Sequence, residues 1–176
     1  MAERRRARSV AWQPGLVHVR SDRRYGFDHP APVVWEAATN IDCYTSWWPW
    51  LRGFEATAFA TGAVWHAVAK PPLPYRVRLV ITLQDVVPCR FVRAAVAGDV
   101  RGWAEITIAD TDAGCEARLV SELAPASALL RTLAVVARPA VRFGHDWVLD
   151  CGAEQLRTHA LAAPAPISEA GSQQAT

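Results

Sequence analysis

His66 and Tyr75 are the two side chains whose type and position best suit chemistry inside an apolar pocket. His66 shares one face of a predicted strand with Val64 and Val68, where a neutral imidazole could polarise a carbonyl group or move a proton. Tyr75 begins the apolar face of the next predicted strand, and its phenol could hydrogen-bond a ligand or support an oxyanion. The alternatives are a His66 that faces solvent or is satisfied within the core, and a Tyr75 half-buried at the rim.

Metal, cofactor and serine-nucleophile chemistry have less support in the sequence. Asp146, Asp150 and Glu154 recur every four residues along a predicted helix, which fits a metal ledge or, more commonly, a solvated acidic face. The four cysteines are far apart and lack metal-ligand spacing. Ser121 has no base and acid nearby in sequence to complete a triad. Nothing resembles a phosphate loop or a dinucleotide fingerprint, so we expect neither a metal nor a cofactor.

Period-two alternation predicts an antiparallel sheet ahead of a long C-terminal helix. A first strand is predicted over residues 20–28, followed by short helices over 33–39 and 43–48, the first opening at Pro32. About six strands then follow between residues 51 and 123. The clearest runs from residue 75 to 87, with one apolar face made by Tyr75, Val77, Leu79, Ile81 and Leu83.

Residues 126–162 read as one long helix with two apolar columns. The bulky column is predicted to be anchored in the core: Leu129, Leu133, Val136, Ala140, Phe143 and Trp147. The small column is predicted to leave space for a ligand: Leu130, Ala134, Ala137, Val141, Gly144 and Val148. The remaining face should meet solvent through Arg131, Arg138, Arg142 and His145. Pro139 should kink or divide the helix, and Gly144 and Gly152 should mark close approach of a sheet side chain or a ligand.

An aromatic cluster, Trp47, Trp48 and Trp50, ends the second short helix. Aromatic rings offer large apolar contact at low entropic cost. The cluster should either line or gate the mouth of a pocket between sheet and helix, or plug one end of the core.

Composition limits the class of protein. The chain has 176 residues, 51% hydrophobic and 20% charged, with a formal net charge of +2. Much of the positive excess lies in the first eight residues, so the body is close to neutral and nucleic acid is not expected as a partner. No run reaches the length of a membrane span, and no signal peptide is evident. We expect a cytoplasmic protein with a basic mobile lead (1–18), one domain (19–162) and a disordered tail (163–176).

Five segments, in this order, resemble the polyketide cyclase/dehydrase-like members of the START-like (SRPBCC, Bet v 1-like) superfamily. They are residues 27–37, 39–49, 73–75, 98–102 and 145–152, and the resemblance spans about 25–161. It implies an α+β helix-grip fold, in which a curved antiparallel sheet of about six to seven strands wraps round the long C-terminal helix, with two short helices after strand 1. It also implies a deep apolar pocket between sheet and helix, where related proteins bind polyketides, lipids or similar molecules.

Three functions remain open. The first is binding of an apolar or aromatic small molecule in the central cavity. The second is a polyketide cyclase or dehydratase in which His66 or Tyr75 assists aldol closure or loss of water. The third is a structural or stress-related protein with a filled cavity. The predicted ligand-binding residues are Trp47, Trp48, Trp50, Val77, Leu79, Ile81, Ala104, Ile106, Leu119, Ala137, Val141, Gly144 and Val148. The ligand's identity and the oligomeric state stay open.

Overall fold

The structure, a computed structural model, describes residues 18–161. The predicted mobile lead and disordered tail therefore lie almost wholly outside the described residues. Seven strands form one antiparallel sheet in the spatial order β1-β7-β6-β5-β4-β3-β2. They are β1 Val19–Phe27, β2 Leu51–Glu55, β3 Val64–Ala69, β4 Val77–Val87, β5 Phe91–Gly98, β6 Val100–Thr111 and β7 Gly114–Pro125.

The helices are α1 Ala31–Thr39, α2 Tyr44–Trp47 after a 3-10 turn at Ile41–Cys43, α3 Ala128–Val136 and α4 Arg138–His159. The predicted α+β helix-grip architecture is confirmed: two short helices follow the first strand, and the long last helix lies against the sheet. Pro32 stands in the first turn of α1, where its missing N–H costs no helical hydrogen bond. Among residues 18–161, no helix is both long enough and apolar enough to cross a bilayer.

The helix predicted over 126–162 is divided into two, α3 and α4. The chain divides at Ala137, whose backbone leaves the helical region (φ −131°, ψ 45°) two residues before Pro139. Division was one of the two outcomes predicted for Pro139, which lacks an N–H and disfavours helical backbone just before it. The Ser127 side chain caps the start of α3 by accepting a hydrogen bond from the Leu130 N–H.

Of the two predicted apolar columns, the bulky one departs from the prediction. Three of its members are exposed rather than anchored: Leu129 (59%), Val136 (79%) and Phe143 (53%). The small column faces inward, with Leu130 and Ala134 buried on α3 and Val141, Gly144 and Val148 beside the space between helix and sheet. Small side chains face the sheet because they let the helix backbone approach it closely. The prediction that His145 faces solvent is wrong, since its side chain lies on the inner side of α4.

Polar contacts along α4 fix its position on the sheet. Arg23 of β1 lies 2.9 Å from the Asp146 carboxylate, and the Tyr25 hydroxyl donates a 2.9 Å hydrogen bond to Asp150. Farther along, the Arg157 guanidinium donates to the Gly26 carbonyl. Asp146 and Asp150 of α4 thus pair with the edge strand β1, whereas Glu154 pairs with Arg157 within the helix.

The other side of α4 is fixed by the aromatic cluster. The Trp48 indole N–H donates to the Gly152 carbonyl at 3.1 Å, and the Trp50 indole N–H donates to the Gln155 side chain at 2.9 Å. A Cβ at Gly152 would lie 3.7 Å from the Trp50 ring, an ordinary contact, so the approach does not require glycine there. The cluster continues through Tyr44 into a buried core with Trp65.

Candidate functional site

A cavity of about 110 Å³ lies between the inner face of the sheet and the α3–α4 pair. Apolar side chains make most of its wall, including Leu79, Leu123 and Val148. Among the described residues, two polar side chains line it, His145 from α4 and Tyr75 from the segment before β4. An apolar cavity with a few convergent polar groups is the usual form of a small-molecule site, so this cavity is the candidate site.

His145 is held by a buried serine of the sheet. Its Nε2 atom lies 3.2 Å from the hydroxyl oxygen of Ser121, which is only 2% exposed at the centre of β7. Burial lowers the pKa of His145 below its ordinary value; the nearby Asp146 carboxylate opposes this shift and Arg23 adds to it. The imidazole is therefore neutral near pH 7 and can act as a hydrogen-bond partner or a proton acceptor.

A second serine lies beside this pair. Ser21 of β1 is directly opposite Ser121 in the antiparallel register, so both side chains are on the inner face. The Ser21 hydroxyl is buried and finds no hydrogen-bond partner within residues 18–161. Leaving a buried hydroxyl unpaired costs about 1–3 kcal/mol. The sheet thus places two hydroxyls, those of Ser21 and Ser121, on the face that meets His145.

Tyr75 belongs to a proline-rich strap, residues 70–76, that crosses the inner side of α4. At Gly144, an added Cβ would come within 2.6 Å of the Tyr75 hydroxyl and 2.9 Å of Leu73 Cδ1. At Gly144, strap and helix are therefore too close for a side chain on the helix. The sequence predicted a close approach at this position, and the approaching segment is the strap. Burial raises the pKa of the Tyr75 phenol, so the group stays protonated and can donate a hydrogen bond.

His66, the other predicted catalytic residue, is placed elsewhere. It lies on the exposed face of β3, while Trp65, Ala67 and Ala69 form the buried face. It lines a larger depression of about 780 Å³ with Asp42 and Glu55. This depression is more open to solvent and has a mixed polar and apolar lining, so the smaller, mostly apolar cavity is the better ligand site. In the described part of the chain, no group of three or more potential ligand side chains could hold a metal ion.

The predicted ligand-binding residues fall into three groups. Those that line the cavity are Val77, Leu79, Val141, Gly144 and Val148. Those that pack in or against the aromatic core are Trp47, Trp48, Trp50, Ile81 and Ile106. Ala104 pairs with Ser121 and Leu119 with Ile106 within the sheet, while Ala137 stands at the break between α3 and α4. His145 and Leu123 also line the cavity but were not predicted as site residues.

Comparison with solved structures relates this geometry to known folds. The protein TTHA0849 from Thermus thermophilus is 16% identical and superposes with a TM-score of 0.65 over 85% of this chain and 100% of its own. The di-domain ARO/CYC BexL from the BE-7585A biosynthetic pathway is 14% identical, with a TM-score of 0.64 over 84% of this chain and 51% of its own. Ara h 8.0201 is 9% identical, with a TM-score of 0.59 over 85% of this chain and 100% of its own.

The chain has the helix-grip, Bet v 1-like fold. That is what structural likeness at such low identity establishes. No protein-family model matches the chain, and no curated protein matches it significantly. Function must therefore be argued from the cavity itself.

Substituting the two glycines of α4 tests the contact between strap and helix. Gly152→Ala should stabilise the protein by up to about 1 kcal/mol, because alanine favours helix and its nearest neighbour, Trp50, is at an ordinary 3.7 Å. Gly144→Ala should instead destabilise the protein by about 1–3 kcal/mol, because the added methyl group overpacks against the strap. Urea denaturation measures both, and adding Tyr75→Phe should partly rescue Gly144→Ala. Equal effects at the two glycines would contradict the contact.

Acidification tests the burial of His145. Its folded-state pKa is lowered, so below about pH 6.5 the unfolded chain binds the extra proton first and stability falls as pH decreases towards the folded pKa. This loss has a slope of at most about 1.4 kcal/mol per pH unit and is absent above that range. His145→Gln should flatten the unfolding free energy measured between pH 5 and 7.5, whereas His66→Gln, on the exposed face, should retain the loss. An unchanged slope in His145→Gln would show that His145 is not buried.

Proposed function

We propose that the protein binds a small, uncharged, largely apolar molecule in the cavity between the sheet and α3–α4. The observation that carries this proposal is the lining itself, which within residues 18–161 is an apolar wall with two polar side chains, His145 and Tyr75. The apolar wall supplies the gain from removing ligand surface from water. The two polar groups would fix the orientation of a ligand that carries a carbonyl or hydroxyl group.

The protonation states of the two polar groups favour a neutral ligand. Burial lowers the pKa of His145, which keeps its imidazole uncharged, and raises the pKa of Tyr75, which keeps its phenol protonated. Neither group can neutralise a carboxylate, and a buried charge without a counter-charge costs far more than a buried dipole. Tyr75 would donate to a carbonyl oxygen, and His145 could accept from or donate to the same molecule, depending on its tautomer.

The size of the cavity limits the ligand. Its volume of about 110 Å³ is below the roughly 300–1,000 Å³ of typical ligand pockets and close to that of cavities that accept a single aromatic ring. A longer polyketide or lipid would require the strap to move, because Leu73 and Tyr75 fill the space against Gly144. The strap contains three prolines in seven residues, which keeps it out of the regular sheet.

A matched pair of cavity and surface substitutions tests ligand binding. Acetophenone, a neutral aromatic ketone, should raise the melting temperature, whereas benzoate, with the same ring and a negative charge, should not. Val141→Phe should abolish the shift by filling the cavity. Val136→Phe, at an exposed position of the preceding helix, should preserve it.

The opposite pattern would contradict the proposal. If no neutral ring compound shifts the melting temperature, or if Val141→Phe responds as the unsubstituted chain does, then the cavity is not the binding site. A chain that binds nothing would favour the third function, a structural protein whose cavity is filled by its own side chains.

A cyclase or dehydratase activity is the second candidate. His145 and Tyr75 line the same cavity, which supports this candidate. The His145 imidazole is neutral and lies 3.2 Å from Ser121, and the Tyr75 phenol is protonated. His145 could take a proton from the carbon next to a ketone while Tyr75 donates a hydrogen bond to the developing enolate oxygen. The apolar wall would orient the substrate for aldol closure. The likeness of fold to the di-domain ARO/CYC BexL is in keeping with this candidate. The catalytic role of His66 stays a prediction.

Turnover of a short poly-β-ketone surrogate tests the second candidate. His145→Gln and Tyr75→Phe should each lower the rate of ring closure by about 10²-fold or more, the usual contribution of a proton-transfer group. His66→Gln, outside the cavity, should leave the rate unchanged. A rate that falls with His66→Gln and not with His145→Gln would move the reaction to the open depression and away from the cavity.

A further inference from the structure

The outer sides of α3 and α4 carry an unusual concentration of exposed apolar side chains. Val135 (77%), Val136 (79%) and Leu129 (59%) lie on α3 opposite its buried residues Leu130 and Ala134, and Phe143 (53%) is exposed on α4. Elsewhere in residues 18–161, the exposed large apolar side chains are single valines, none more than 44% exposed. Scattered exposed valines are ordinary, but four strongly exposed large apolar side chains within residues 129–143 are typical of an interaction site.

Arginines outnumber carboxylates along this part of the chain. Between Glu122 and Asp146 the sequence contains no carboxylate but three arginines. Arg131 is exposed, and Arg142 is 71% exposed, with its guanidinium 3.7 Å from Asp146. Asp146 also pairs with Arg23 at 2.9 Å, so it is shared between two cations. Cations therefore accompany the apolar side chains along the α3–α4 outer face, which consists of Leu129, Arg131, Val135, Val136, Arg142 and Phe143.

We infer that the α3–α4 outer face docks on the headgroup region of a bilayer that contains anionic lipids. Helices that lie in a membrane interface combine Leu, Val or Phe on one side with arginines that meet the lipid phosphates. A second copy of this chain fits the same surface less well, because a two-fold contact would bring arginines of like charge together. The contact is peripheral, consistent with the absence of a membrane-spanning helix among the described residues.

The position of the surface gives the docking a consequence. The opposite sides of the same helices, at Leu130, Val141 and Val148, form one wall of the cavity. A bilayer on the outer face would therefore lie one helix thickness from the cavity. This inference goes beyond small-molecule binding and does not depend on it, since the outer face and the cavity wall use different side chains.

Co-sedimentation of the full chain with lipid vesicles tests the inference, using phosphatidylcholine with or without phosphatidylglycerol and no cavity ligand. The protein should bind the anionic vesicles, less so at high salt. Val135→Ser/Val136→Ser removes apolar surface without changing charge and should weaken binding by at least about tenfold. Val64→Ser/Val87→Ser, a matched pair of exposed valines away from this face, should bind as the unsubstituted chain does.

Neutral substitutions are needed because the first eight residues carry four arginines, which could attract anionic vesicles by themselves. All variants keep those residues. Arg131→Gln and Arg142→Gln should each weaken binding by about fivefold, the contribution of one basic residue at an anionic surface.

Three outcomes would overturn the inference. The first is no binding to anionic vesicles, and the second is binding that Val135→Ser/Val136→Ser leaves unchanged. The third is self-association in analytical ultracentrifugation that this double substitution abolishes while vesicle binding stays absent, which would assign the face to a second copy of the chain. Melting temperatures of both double-valine variants check that folding is preserved.

Discussion

The packing of α4 against the inner face of the sheet is the contact on which the other features of the molecule depend. Seven antiparallel strands present an apolar inner face, and such a face must be covered. Three sets of polar contacts hold α4 there: Asp146 and Asp150 with β1, Arg157 with the Gly26 carbonyl, and Gly152 and Gln155 with the indoles of Trp48 and Trp50. Since the inner side of α4 carries small residues, this packing leaves a cavity instead of a filled core.

Burial under α4 also determines the chemistry of the cavity. Desolvation lowers the pKa of His145 and raises that of Tyr75, so both polar groups are uncharged at neutral pH. Ser121 fixes the imidazole from the sheet side, and Gly144 lets the strap bring Tyr75 against the helix. An uncharged acceptor or base and a hydrogen-bond donor thus meet in an apolar space, which suits a neutral ligand with one polar group. The same two helices expose apolar and basic side chains on their outer sides. Each helix therefore contacts the cavity on one side and solvent on the other.

The sequence predicted the fold well because its strongest signals are local. Alternation over residues 75–83 placed Val77 and Leu79 on the inner face, where they line the cavity, and Pro32 marked the start of α1. The site was harder to predict, since helical periodicity shows which residues share a side but not which side meets the sheet. Both columns of the C-terminal helices are apolar. The small column does face the sheet, but the bulky column, predicted to be anchored, exposes Leu129, Val136 and Phe143. Alternation along β3 likewise does not show which face is buried. His66 was predicted to face the pocket, but the buried face is the one with Trp65. His145 could be recognised only from its contact with Ser121, which is 24 residues away in sequence.

Xenon pressurisation of a crystal tests the central claim most directly, because xenon enters dry apolar cavities irrespective of ligand chemistry. The account predicts a xenon site between the sheet and α4, in contact with Leu79, Leu123 and Val148, and its loss in Val141→Phe. Absence of xenon from this position, with side chains filling the space, would contradict the existence of a ligand cavity beneath the helix.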